Sequence, residues 1–411
     1  MDALPQQVRP DFPILDTQVN GRPLAYLDNA ATTQVPEPVL AAMAEQYRLH
    51  QANVHRGIHT LSERSTARME GARETLRAFL NAREAAEIVF TSGATHSINL
   101  VARALSFGGL GPGDEIVTTA MEHHANLIPW QEACRRTGAA LRVVPLTPAG
   151  DLDLAALGAL LSPRTRLVAV TCVSNVTGAV NPVEEIIGLA HRAGAPVLLD
   201  AAQAMRHRAF DVQALDCDFL CFSGHKLMGP TGTGVLYGKR AALEALPPDA
   251  FGGGMVDQVS LSGASWGELP FRLEAGTPNI VGNIGLAAAV DYLTSLGLRR
   301  IAAWEQTLLD ETAAALERLP RVRILGRPAR RAGAVSFNLE GCHCYDAARL
   351  LDQLGVAVRS GHHCAQPLLE CLGETGAVRV SPAFYNTRED IARLLDGLER
   401  VSGILGRGRR T

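Results

Sequence analysis

No stretch of this sequence is apolar for long enough to cross a bilayer as a helix. No early segment joins a basic start, an apolar run and a small-residue cleavage site, so no export signal is expected and the chain reads as cytoplasmic. Neither sign of charge dominates. A formal net charge of -3 over 411 residues gives no general attraction to nucleic acid or to anionic membrane. The basic run at residues 407–410 is short and reads as a solvated terminus. Internal repeats and low-complexity tracts are missing too. A disulfide framework is also excluded: the 8 cysteines are scattered through a large chain, as expected for free thiols in a reducing compartment.

What is present is alternation. Apolar, β-rich runs recur at residues 87–91, 115–119, 141–145, 167–173, 196–199, 219–222 and 234–237, and helical patterns separate most of them. The last two are joined by a glycine-rich loop, short enough for one antiparallel neighbour. The pattern predicts an α/β fold with a mostly parallel, seven-stranded sheet covered by helices on both faces. Residues 1–25 carry four prolines and read as an arm packing on the small domain. A large domain is expected over 26–285 and a smaller α+β domain over 286–411. The smaller domain should hold a long helical stretch to about Leu319, strands at 334–338, 356–359 and 377–381, and a closing helix from Arg388.

Four strand ends carry chemistry. Ligands of an open parallel sheet bind beyond the carboxyl ends of its strands. One apolar strand ends in Asp200, with Gln203 just after it, and the next ends in Ser223-Gly-His-Lys226 ahead of the run Gly229–Gly234. Asp200 taken alone is an ordinary helix cap, and Lys226 taken alone is a surface lysine. Together they match pyridoxal 5'-phosphate, which needs an amine for its aldehyde and a carboxylate for its ring nitrogen. Gln203 can bond the ring's phenolic oxygen. The turn Thr91-Ser-Gly-Ala-Thr95 opens a helix near Ala94, so Ala94, Thr95, Ser223 and His225 can cradle the phosphate. His123, after the strand at 115–119, can stack on the ring and handle protons.

The remaining cysteine text is Arg359-Ser-Gly-His-His-Cys-Ala-Gln-Pro-Leu368. Cys364 lies where neither a central strand nor a helix interior is natural. Its histidines and Arg359 favour some thiolate at neutral pH. Cys134, Cys172, Cys217 and Cys221 instead lie in helix or strand patterns and read as core. The cysteine and histidine spacings fit no familiar zinc pairing, so no metal is expected.

Read together, Tyr26–Thr33, His55–Leu61, Glu122–Asn126, Asp200–Gln203, Ser223–Lys226, Glu274–Asn279 and Arg359–Leu368 resemble the Suf-type cysteine desulfurases, with selenocysteine lyases as close relatives. The resemblance runs from about Asp11 to the last helix. It implies a fold-type I pyridoxal-phosphate enzyme that acts as a homodimer with active sites at the subunit interface. It makes Cys364 the thiol that receives sulfur from L-cysteine as a persulfide, and L-alanine the other product. Arg379, with Asn175 and secondarily Arg359, would hold the substrate carboxylate. Thr277, His55 and Arg56 would serve the neighbouring subunit's site. The compact stretch 356–366 limits the reach of Cys364, so a sulfur-acceptor protein of SufE or SufU type would dock beside it, with iron–sulfur cluster assembly as the destination. His96 stands where the family has Glu, and Val380 and Pro382 are also unusual, so contacts at the helix start and the cavity wall are expected to differ. The other readings of the same residues are a selenocysteine lyase, an aminotransferase, epimerase or kynureninase-like lyase that ignores the thiol, and a non-catalytic zinc-stapled sulfur carrier.

Overall fold

The structure, a computed structural model, describes residues 3–407; the basic tail beyond Arg407 lies outside them. The seven expected strands form one sheet. They are β1 (Ile88–Thr91), β2 (Glu115–Thr119), β3 (Ala140–Val144), β4 (Thr165–Thr171), β5 (Val197–Asp200), β6 (Phe219–Ser223) and β7 (Gly234–Gly238), in the order β1-β7-β6-β5-β4-β2-β3. Only β7 runs antiparallel, to both of its neighbours.

Their continuous apolar text has a direct cause. Side chains alternate across a strand, and both faces are covered, so both sets must be apolar. Val168 and Val170 of β4 join one core cluster, with Met69, Leu76 and Leu286. Leu167 and Ala169 join the other, with Ile98, Val101 and Trp130. Helices Thr60–Leu80 and Ile280–Leu296 cover the first face, and Ala94–Ser106 and Ile128–Thr137 cover the second. One glycine pair is required where β7 meets the turn after β1. Gly93 has φ +146°, and a Cβ on Gly234 would lie 2.5 Å from the Gly93 Cα.

A second core gathers Leu308, Phe337, Leu351, Val378 and Leu394 under a four-stranded sheet. Its strands are β8 (Val322–Ile324), β9 (Val335–Leu339), β10 (Arg359–Gly361) and β11 (Ala377–Val380), in the order β8-β9-β11-β10. The structure departs from the sequence reading at several points, the unanticipated β8 among them. The helical stretch after 280 is two helices, Ile280–Leu296 and Leu298–Arg318, bent by 80° at Gly297, whose φ is +86°. The single strand at 356–359 is two: Val356–Ala357 pairs in parallel with Ala25–Tyr26, while Arg359–Gly361 joins the small sheet. An exposed hairpin, Val256–Ser260 with Gly263–Trp266, was not anticipated, because its residues bury no face that would leave a pattern. Residues 3–8 are helical, and Phe12 packs against the rings of Tyr292, Phe384 and Tyr385 while Arg9 pairs with Asp390. Among the described residues no single helix is long and apolar enough to cross a membrane.

Candidate active site

The carboxyl ends of β2, β4, β5 and β6 open on a cavity of about 300 Å³. Twelve of the fifteen residues singled out above line it: Ala94, Thr95, His123, Asn175, Asp200, Gln203, Ser223, His225, Lys226, Arg359, Cys364 and Arg379. His55, Arg56 and Thr277 do not. They are exposed and line a separate cavity of about 580 Å³ with Gly254 and Phe271.

Lys226 ends a 3-10 turn directly after β6. The loop at 32–33 fixes that turn: the Thr33 amide and hydroxyl both donate to the His225 carbonyl, at 2.9 and 3.0 Å. The Met228 amide donates in turn to the Thr33 hydroxyl at 2.9 Å. Burial lowers the pKa of the Lys226 amine, with Arg379 and Arg206 adding to the effect and Asp200 and Cys364 opposing it. Asp200 is buried, and one carboxylate oxygen accepts the Ala202 amide at 2.9 Å. Burial raises its pKa, and Lys226 pulls it back.

The turn after β1 aims the N-terminus of helix Ala94–Ser106 into the cavity, where unpaired amides and the helix dipole favour an anion. The Ala94 amide donates to the Ser223 hydroxyl at 2.9 Å. His96 reaches back, and its Nδ1 accepts the Ser92 amide at 3.1 Å. The imidazole thus reaches back from the third helical position as a capping-box carboxylate does, but to the amide of Ser92, one residue before the N-cap Gly93. Gln203 donates to the Ala30 carbonyl at 2.8 Å.

His123 carries its proton on a defined nitrogen. Its Nδ1 accepts the Ala125 amide at 3.0 Å, which leaves Nε2 as the N–H. Burial, then the charge of Lys226, holds the ring neutral, with a pKa of about 3. His225 is held down to about 4 by burial and Lys226.

The opposite wall belongs to the small domain. Arg379 of β11 is buried; one Nη donates to the Asn175 carbonyl at 2.9 Å and the other to Asp28 at 3.0 Å, while its Nε has no partner among the described residues. Arg359, paired with Arg379 across β10 and β11, is exposed. Cys364 sits in a two-residue left-handed kink with His363, at φ +54° and +52°. Three tethers hold this kink. The Cys364 carbonyl accepts the His124 amide at 2.7 Å, the His363 carbonyl accepts the Asn175 side-chain amide at 2.7 Å, and the Cys364 amide donates to His362 Nδ1 at 3.1 Å. The side-chain amide of Asn175 is therefore committed to the cysteine loop. Pro382 has no amide to offer, and its carbonyl accepts Arg206 at 3.3 Å.

Asp28 and His363 were missed as participants. Asp28 lies 351 residues from the arginine it holds, and no local pattern marks such a contact. His363 is 6% exposed; its Nε2 bonds the Ala377 carbonyl at 3.0 Å, and burial holds its pKa near 3. Among the described residues, no three His, Cys, Asp or Glu converge as a metal site.

The residues fit pyridoxal phosphate. No hydrogen bond or ion pair to a described residue engages the Lys226 amine, Asp200 offers a buried carboxylate in the same cavity, and a helix N-terminus with Ser223 and His225 faces it for a phosphate.

Comparison with known proteins agrees with this geometry. Residues 25–394 match the aminotransferase class-V family. A cysteine desulfurase of Klebsiella pneumoniae is 52% identical over 98% of this chain and 99% of its own length. One from Serratia proteamaculans is 51% identical over the same shares. Among solved structures, the cysteine desulfurase CsdA of Escherichia coli, in an S-sulfonic acid form, superposes with a TM-score of 0.90 at 42% identity, covering 97% of this chain and 98% of that one. An apo cysteine desulfurase of Thermococcus onnurineus gives a TM-score of 0.91, also at 42% identity and the same coverage.

Proposed function

This chain belongs to the aminotransferase class-V family, among its cysteine desulfurases, and on that premise we propose how its residues divide the work. The reaction is the pyridoxal-phosphate-dependent removal of sulfur from L-cysteine. The observation that carries the reading is a single cavity lined by Lys226, Asp200, Arg379 and Cys364.

When bound, pyridoxal phosphate supplies an aldehyde for the substrate amine and a ring that takes up negative charge from Cα. Lys226 holds the aldehyde at rest. Its amine, whose pKa burial lowers, would then take the Cα proton at Nζ. Asp200 would keep the ring nitrogen protonated, and Gln203 would bond the phenolic oxygen. Ala94, Thr95, Ser223 and His225 hold the phosphate. Arg379 grips the substrate carboxylate, and Arg359 adds charge at the rim. Asn175 acts on the same subsite by fixing the loop next to it.

Cys364 attacks the substrate sulfur as a thiolate. An S–S bond forms while the Cβ–S bond breaks, and the electrons of that bond stay on carbon, which takes a proton and leaves as alanine. His123, neutral with its proton on Nε2, is placed to deliver or accept a proton during cleavage.

Cys364 also lines a second, outward-facing cavity of about 560 Å³ with Phe107, Ile128 and Arg136. A sulfur acceptor of SufE or SufU type would take the persulfide from that side, for iron–sulfur cluster assembly in the cytoplasm. His55, Arg56 and Thr277 are assigned to the site of a second copy in a homodimer, which accounts for their lining a cavity apart from that of Lys226. The test is turnover of L-cysteine in the presence of a thiol reductant, which releases the persulfide sulfur as sulfide, with alanine and sulfide measured together, for the wild type, Lys226→Ala and Cys364→Ala. Equal amounts of the two products from the wild type and neither from the variants are expected. Turnover undiminished in Cys364→Ala would refute the role of the thiol.

A further inference from the structure

Glu122 has no part in the chemistry above, yet it is 1% exposed and among the best-bonded carboxylates in the molecule. One of its oxygens accepts the Thr119 hydroxyl at 2.7 Å and the Thr171 amide at 3.0 Å. The other accepts the Asn126 side-chain amide at 2.6 Å. The direction of each bond is fixed. Thr119 Oγ1 itself accepts the Met121 amide at 3.1 Å, which leaves its hydrogen for Glu122. Trp130 Nε1 donates to Asn126 Oδ1 at 3.0 Å, which turns the Asn126 NH2 toward Glu122. All three partners are donors, so the anion satisfies them all. Burial, first, raises the carboxyl's pKa and the charge of Asp200 adds to it, while the three donors pull it back toward the anion that their directions require.

These bonds close a loop. Thr119 ends β2, Asn126 ends the 3-10 turn that follows, and Thr171 ends the neighbouring β4, paired there with Asp200 of β5. Between the tied ends lie His123, which faces the cavity, and His124. The His124 amide donates to the Cys364 carbonyl at 2.7 Å, and its Nε2 accepts the Gln366 amide at 3.2 Å. One carboxylate therefore registers the imidazole of the large domain and the cysteine loop of the small domain against the same two strands.

We propose that Glu122 is a positioning residue that sets His123 and Cys364 relative to each other by clamping the 119–126 loop, an inference that rests on the roles given to those two residues above.

The direction of the bonds supplies a test that simple destabilisation would not pass. In Glu122→Gln, an amide oxygen facing Thr119 and Thr171 leaves its NH2 against the NH2 of Asn126. Adding Asn126→Asp reverses that second partner: the introduced glutamine can then donate to a carboxylate that still accepts from Trp130. Two quantities are measured: steady-state kinetics on L-cysteine, and the rate of Cys364 alkylation by iodoacetamide relative to the exposed Cys371, resolved by peptide mass. For Glu122→Gln, kcat is expected to fall about tenfold with KM changed by less than about threefold, and the alkylation ratio to change by about threefold or more. The double variant is expected to return both to within about twofold of the wild type. A single variant matching the wild type in both, or a double variant no better than the single, overturns the proposal. If Glu122→Gln does not fold, Trp130→Phe, which frees the Asn126 amide to turn, should shift both readouts the same way by less, and no shift overturns the proposal. A wild type without cysteine turnover would sink the desulfurase reading and leave the alkylation ratio to decide this one.

Discussion

The two walls of the cavity are built differently. The Lys226 wall is the rim of a seven-stranded sheet, where Asp200, Ser223 and the turn to Lys226 are fixed by strand pairing and buried apolar faces. The Cys364 wall is a left-handed kink between a three-residue strand and a six-residue helix, held by a few long-range bonds and open to two cavities. A cofactor needs a fixed seat, because its aldehyde, ring nitrogen and phosphate must all be met at once. A thiol that receives sulfur and hands it on needs access to two sides. Rigidity and access are thus assigned to different domains, and the bonds of His124 and Asn175 to the cysteine loop are where the two are joined.

This contrast breaks most sharply when each wall loses its central group. Lys226→Ala should lower turnover about a thousandfold or more and change the visible absorbance of the bound cofactor. Cys364→Ala should lower cysteine turnover as severely and leave that absorbance as it is. If both variants change the spectrum alike, the division between the walls is wrong. A smaller effect is expected at the joint. Asn175→Ala frees the His363 carbonyl and should cost kcat about tenfold, near the worth of one buried hydrogen bond, with cofactor absorbance unchanged.

The acid dependence of stability sharpens the same contrast on the cysteine side. The folded pKa of His363, near 3, lies below its ordinary 6.5, so the unfolded chain binds the extra proton between those values. Stability is then full above about pH 6.5 and is lost as pH falls, by about 1.4 kcal/mol per pH unit for one such group. Urea unfolding from about pH 7 to about pH 5 should show this slope, and His363→Gln should reduce it by about one proton. An unchanged slope would mean that the ring is already charged in the fold. The smallest effect is expected on the Lys226 wall: His96→Ala removes the bond to the Ser92 amide and should cost about 1 kcal/mol or less of stability, with a few-fold weaker cofactor binding. Calorimetry with a cofactor titration reads both.

How well each wall could be read from the sequence follows from how it is held. The seven strands were legible because burial on both faces writes an unbroken apolar run, as in Leu167–Val170 of β4. Asp200 and Lys226 were legible because they stand at the ends of such runs. The chain offers a further signal for Lys226: it has only two lysines, and the other, Lys239, is tied to Asp216 and Asp218. The small-domain side was harder. The strand at 356–359 divides because its first half pairs with Ala25–Tyr26, some 330 residues away, and nothing local records that. Asp28, Asn175 and the bond of Glu122 to Thr171 were illegible for the same reason: each is a contact between distant segments. The 256–266 hairpin buries no apolar face within the chain and so left no periodicity.

The most direct measurement is the mass of the peptide carrying Cys364 after the holoenzyme has met L-cysteine without a reducing agent or an acceptor. One added sulfur atom on Cys364, matched by one alanine released and absent in Lys226→Ala, is the predicted result. Alanine released by the wild type with Cys364 unmodified and the sulfur found free or on another cysteine would contradict the account.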